Sequence, residues 1–158
     1  MNHKFCLSII CVLALSACGF RAQVKTASLA GCRISLLANS VEPGFLKQLG
    51  KQIALSGGVL VTDKTANSLK LVLADLANDK ALLNTGPYGQ GQVYLLSACL
   101  QVALDQQPLQ KICSQARMSE NYNQQLSNLN EVSNVQQALY TELVTLIVLK
   151  LGSLHEPA

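Results

Sequence analysis

Histidine and charge are both scarce in this chain. Only two histidines occur, His3 and His155, each near an end, and no Cys-x-x-Cys pair is present. A zinc site or a cysteine–histidine dyad therefore has almost nothing to be built from. Charged residues make up 13% of the chain and its lysines and arginines are scattered. The dense basic patch of a nucleic-acid binder is missing, so no nucleic-acid partner is expected. The acids Asp63, Asp75, Asp79, Asp105, Glu120 and Glu131 fall mostly where turns and element ends are expected. Capping and solvation account for them there without catalysis. A tethered periplasmic hydrolase would need a nucleophile with a base, or a carboxylate pair, in one pocket. The expectation is a protein that is not an enzyme and carries no cofactor or metal.

What the chain does have begins at residue 1. After Met1, Asn2, His3 and Lys4, the run from Phe5 to Leu15 is apolar except for Ser8, and Leu15-Ser16-Ala17-Cys18 follows. A weakly positive start, a short apolar stretch and small residues before a cut make a secretory signal. The run is interrupted at Cys18, Gly19, Phe20 and Arg21, short of the roughly 20 residues that cross a bilayer. A cysteine directly after the cut has the form of a lipobox, so Cys18 is the expected lipid attachment site. Acyl chains hold a domain on a membrane by about 0.8 kcal/mol per buried methylene. The absence of aspartate after Cys18 leans toward the outer membrane, on its periplasmic face. The expected division is a signal peptide over 1–17, a lipidated linker over 18–28, one domain over 29–152 and a tail over 153–158.

Removing the leader leaves about 140 residues, enough for one core. It also discards Cys6 and Cys11, and lipidation consumes Cys18, leaving Cys32, Cys99 and Cys113 in an oxidising compartment. Three thiols cannot all pair within the chain. Apolar residues are plentiful beside few charges, which suggests a surface covered by a partner.

Leu29 to Ala38 reads as a strand ended by Asn39 and Ser40. Glu42-Pro43 opens a helix with Phe45, Leu46, Leu49, Ile53 and Ala54 near one face, and Gly57-Gly58 stops it. Val59 to Val61 and Leu69 to Leu76 read as strands, with a turn or irregularity at Asn78-Asp79. From Asn84 to Gln92 three glycines and a proline mark a loop tip. Its Gly-x-Gly lacks the lysine and the following helix of a phosphate loop. Val93 to Leu104 and Leu109 to Met118 form a hairpin about Asp105-Gln106-Gln107-Pro108. If its loop is the three residues 105 to 107, positions summing to 212 face each other and Cys99 lies opposite Cys113. A two-residue loop would put the two cysteines on opposite faces.

Glu120 to Asn130 is rich in Asn and Gln. From Glu131 a helix is expected, with Val132, Val135, Leu139, Leu143, Leu146 or Ile147, and Lys150 at helical spacing and Gly152 as its end. Leu143 to Leu149 is apolar nearly all round, which implies burial on more than one side, with a membrane span excluded by length. Its outer face either touches a neighbouring helix or meets another protein. The element order argues for a two-layer α/β domain, a mixed, mostly antiparallel sheet with two helices packed on one face.

Several pieces occur together in order. They are Cys18-Gly19-Phe20, Lys51 through Val59 with its Gly57-Gly58 turn, Gly89-Gln90 with Tyr94 behind it, Ala116-Arg117, and Glu131 with a terminal helix ending Leu149-Lys150-Leu151. In this the chain resembles the lipopolysaccharide-assembly lipoprotein family LptE, over nearly its whole mature length. The resemblance implies a non-enzymatic outer-membrane lipoprotein that plugs the lumen of the large β-barrel LptD, assists its assembly and contacts lipopolysaccharide. The glycine-rich tip, whose mostly uncharged Asn, Gln and Tyr side chains suit a polar lumen wall, is then expected to face the partner through Tyr88, Gln90 and Gln92, together with the outer face of the terminal helix. Arg117 matches a family position for a ligand contact. Two basic positions of the family are Pro87 and Asn128 here, so those contacts do not carry over. A lipoprotein subunit of another outer-membrane assembly machine is the alternative.

Overall fold

The computed structural model describes residues 28–61, 68–85, 91–121 and 125–155. Its elements, in chain order, are β1 (Arg33–Asn39), α1 (Pro43–Leu55), β2 (Val59–Val61), β3 (Leu69–Thr85), β4 (Gly91–Leu104), β5 (Gln110–Asn121) and α2 (Gln125–His155). The five strands form one sheet in the order β2-β1-β3-β4-β5. β1 runs parallel to both β2 and β3, whereas β3, β4 and β5 form an antiparallel meander. Both helices pack on the same face, and the domain is the expected two-layer mixed α/β fold.

Local chemistry accounts for α1. Pro43 sits in its first turn, where a missing N–H costs nothing, and Phe45, Leu49 and Ile53 are fully buried at fourfold spacing. Each such side chain contributes about 1.5–3 kcal/mol by leaving water. The helix stops in a Schellman turn, with Gly58 N–H donating to Ile53 O at 3.0 Å and Gly57 N–H to Ala54 O at 3.0 Å. Gly57 has φ +87°, and a Cβ there would lie 3.2 Å from the Ala30 Cα. The turn thus seats the segment before β1: Leu29 N–H donates to Ser56 O at 2.8 Å. Residues 30 and 31 form a turn, so β1 starts at Arg33, later than the expected Leu29.

β3 is 17 residues long, twice its expected length. Ala77 to Thr85 carry little β-propensity and are all exposed, but β4 supplies a partner to most of them, and pairing overrides propensity. The expected irregularity at Asn78-Asp79 lies instead at Asp75-Leu76. There the register shifts between Ala74 and Ala77, and Asp75 takes φ +54°. Asn78 stays in the ladder. A second shift between Leu82 and Asn84 leaves Leu82 and Leu83 both exposed.

α2 begins at Gln125, six residues before the expected Glu131, and runs through Gly152 to His155. Residues 153–155 therefore belong to the helix and not to a tail. One glycine costs a helix only about 1 kcal/mol, which the apolar turns before it outweigh. At 31 residues the helix is also long enough to cross a bilayer, so length does not exclude a span as expected. Its packing is that of a core helix instead. Leu139, Tyr140, Leu143, Val144, Ile147, Val148 and Leu151 are buried against Ile34, Leu71, Leu73, Leu100 and Leu104 of the sheet and Phe45, Leu49 and Ile53 of α1.

Candidate partner surface

The two helices cover only part of the sheet. Burial in β3 ends after Leu73, apart from half-buried Ala74 and Leu76, while β3, β4 and β5 continue together as a three-stranded blade. On β4 and β5 burial continues through Ala98, Leu96 and Met118, at the rows of Asn78, Lys80 and Leu82. Only the last rows, from Leu83 to Thr85 and their partners, reach past the core, roughly 10 Å at strand rise. Gln92 lies at its outer end. Tyr88 and Gln90, the other expected partner-facing residues, and Cys18 lie outside the described residues.

On the helix-side face of the blade, four side chains converge. The Lys80 ammonium is paired with the Glu120 carboxylate and stands 4.0 Å from the centroid of the Tyr94 ring, while the Tyr94 hydroxyl donates to Gln92 Oε1. The strand register creates this cluster, because Lys80 faces Leu96, Tyr94 faces Met118 and Gln92 faces Glu120. Its cation is neutralised and its aromatic face occupied, which suits a rigid polar tip more than a site for a free anion.

The opposite face of the sheet is bare. Arg117 is exposed there, opposite Leu95 on β4, with Lys111 on the same row. The register of this hairpin sums to 212 throughout, and Cys99 and Cys113 are opposite and joined as a disulfide, Cα to Cα 4.1 Å. Asp105 fixes the turn: at φ +52° it donates its N–H to Lys70 O and accepts from Lys70 N–H through Oδ1, both at 2.8 Å. Cys32 is a free, buried thiol. Burial first, and the Asp105 carboxylate second, push its pKa above the usual 9.0, so at neutral pH it is a thiol and a poor nucleophile.

The residues that sequence reasoning missed surround Tyr140. Its hydroxyl accepts from Asn78 Nδ2 at 2.7 Å and Gln136 Nε2 at 2.9 Å and donates to Glu42 Oε2 at 3.0 Å. A tyrosine within an apolar helical stripe is the signal that could have found them, since its buried hydroxyl needs partners. The buried Ser114 similarly donates to Glu142 of α2. Among the described residues, no group of three or more His, Cys, Asp or Glu side chains is arranged to hold a metal ion.

No family model matches the chain, and no curated protein matches it in sequence. Solved structures do match in fold. Lipoprotein B from Nitrosomonas europaea superposes with a TM-score of 0.66 at 13% identity, covering 87% of this chain and 92% of that one. Rare lipoprotein B from Shewanella oneidensis gives 0.61 at 14% identity, covering 78% and 96%. A minor lipoprotein from Acinetobacter baumannii gives 0.56 at 17% identity, covering 78% and 92%. The architecture is thus one found in bacterial lipoproteins.

Proposed function

We propose that this chain is a lipid-anchored outer-membrane lipoprotein, held at Cys18 on the periplasmic face. In that reading it plugs and helps assemble an LptD-like β-barrel that inserts lipopolysaccharide, and so contributes to lipopolysaccharide transport to the outer leaflet. The observation that carries the reading is the blade. The outer half of β3, from Ala77 to Thr85, is exposed throughout and has left β1 behind at Ala74, and with Leu82 and Leu83 on it this part of the sheet has surface to bury elsewhere. Three strands at about 4.8 Å spacing fit inside barrels of roughly 16 or more strands, which leave an open lumen. Sequence order from Cys18-Gly19-Phe20 to the terminal helix supports the same family, and the likeness of fold to bacterial lipoproteins accords with the anchor. Any contact with lipopolysaccharide phosphates falls to exposed cations on the bare face, Arg117 first, because the family's other basic positions are Pro87 and Asn128 here.

Photocrosslinkers placed at Tyr88, Gln90 and Gln92 in living cells test this, with exposed Lys47 on α1 for comparison. Adducts to one large outer-membrane barrel, strongest from the tip, are expected. A folded, anchored protein giving no barrel adduct from the tip would sink the plug reading.

A further inference from the structure

The two edges of the sheet are protected very differently. β2 is blunted by its length of three residues, whereas β5 presents twelve residues with an unbroken register and no proline. Of the guards of an exposed edge, β5 lacks shortness, bulges and proline, and carries only its charges, Lys111 and Arg117, and α2 along one side. The Cα separation of 4.1 Å at Cys99–Cys113 marks a pair that does not exchange hydrogen bonds across the hairpin. The N–H and C=O of Cys113 therefore point away from β4, and by the twofold period so do those of Lys111, Gln115, Arg117 and Ser119.

α2 forms a lip along this edge. Glu142 is tied to Ser114, and Lys150 to Gln110. Eight helical residues span about 12 Å and four strand residues about 13 Å, so helix and strand run alongside each other in opposite directions. Leu146 lies midway between the two ties and is 37% exposed, and Ile112 lies midway on the strand. The helix side of the edge is thus apolar. On the bare side, Lys111, Cys113, Gln115, Arg117 and Ser119 are all exposed and include two cations and no acid.

We propose that the β5 edge beside Leu146 of α2 takes up an extended strand from a protein partner, with apolar residues toward the helix alternating with acidic residues toward Lys111 and Arg117. Main-chain hydrogen bonds would give the pairing its strength, and the alternation its selectivity. Charge argues against a second copy as the occupant, because antiparallel pairing of two β5 strands gathers four cations on one face with no acid among them. The proposal concerns a different surface from the blade tip and stands or falls apart from the barrel reading.

The test uses the mature lipidated chain in phospholipid nanodiscs and a capped peptide of alternating valine and glutamate, about nine residues long to span 111 to 119. Alternating valine–lysine and block valine–glutamate peptides are the controls. Hydrogen exchange at the amides of Lys111, Cys113, Gln115, Arg117 and Ser119 should slow on adding the alternating glutamate peptide. The lysine peptide should bind about tenfold more weakly, and the double variant Lys111→Glu, Arg117→Glu should reverse that preference. Both positions are exposed, so folding is not at stake. Unprotected edge amides, equal protection by the three peptides, or protection that grows with protein concentration without peptide would each overturn the proposal.

Discussion

Tyr140 of α2 and Asn78 of β3 meet at 2.7 Å, the tyrosine hydroxyl accepting from the amide where burial along β3 has ended and its exposed outer half begins. The same ring packs edge-on against Phe45 of α1, centroids 5.5 Å apart. One side chain thereby joins both helices to the root of the blade. Glu42 and Asn78 are exposed and can turn to water when the hydroxyl is lost, so Tyr140→Phe should cost only about 1 kcal/mol. Tyr140→Ala also empties the ring's place beside Phe45 and should cost about 3–5 kcal/mol. Denaturant midpoints of the two variants check the ranking, and a Phe variant as damaging as the Ala variant would show that the hydroxyl, not the ring, dominates.

How far the sequence foretold this arrangement depends on whether the signal was local. α1 was legible because Pro43, the spacing of Phe45, Leu49 and Ile53, and Gly57-Gly58 each act within a turn or two. The β4–β5 register was legible up to one open choice, the loop length, because a hairpin's pairing follows from its turn. The outer half of β3 was not, since Ala77 to Thr85 are strand only because β4 lies beside them. The Tyr140 contacts were equally hidden, for Glu42, Asn78 and Gln136 come together only through tertiary packing. The Asn- and Gln-rich start of α2 hid a helix because polar residues in its first turns erase the apolar period.

Replacing both cysteines of the hairpin by serine should lower stability through a less constrained unfolded chain. Closing a loop of this size is worth at most about 3 kcal/mol on chain-entropy grounds. The twelve-residue β5 ladder should persist, since eleven other pairs hold it. Denaturation of the wild type with and without reductant gives the same comparison, and an unchanged midpoint in reductant would show that the bond contributes nothing.

Cys32 predicts a specific alkaline weakness. Its folded pKa is raised by burial and then by Asp105, while the unfolded thiol titrates near 9.0. The stabilising effect is complete below that pH and is lost as pH rises through the folded value, because the unfolded state releases its proton first. Cys32→Ala should therefore flatten the fall in stability above pH 9, at the cost of a small cavity. Parallel curves for the two proteins between pH 8 and 10.5 would contradict it.

Gly57→Ala should destabilise the domain by more than about 1 kcal/mol. A Cβ at φ +87° is strained, and it would press on the Ala30 backbone at 3.2 Å, where no flexible side chain can yield. Gly31 offers the contrast, at φ +79° with nothing within 4 Å, so Gly31→Ala isolates the backbone term. Thermal midpoints should fall further for position 57. Equal losses at both would mean that the contact with Ala30 is relieved.

Leu82 and Leu83 separate the blade's stability from its task. The shift in register between Leu82 and Asn84 leaves the two leucines 52% and 48% exposed, so replacing both by serine removes about one leucine's worth of buried surface in all. Stability should fall by about 1.5–3 kcal/mol, the value of one leucine side chain's burial. In the barrel reading these are contact residues, and the same double variant should sharply reduce the Gln92 photoadduct to the barrel while leaving fold and anchor intact. The variant protein is purified for its denaturant midpoint and, in parallel, crosslinked in cells. An undiminished adduct from the folded variant would mean that the exposed leucines are not what the partner holds, and would shift the contact to the polar residues around Gln92.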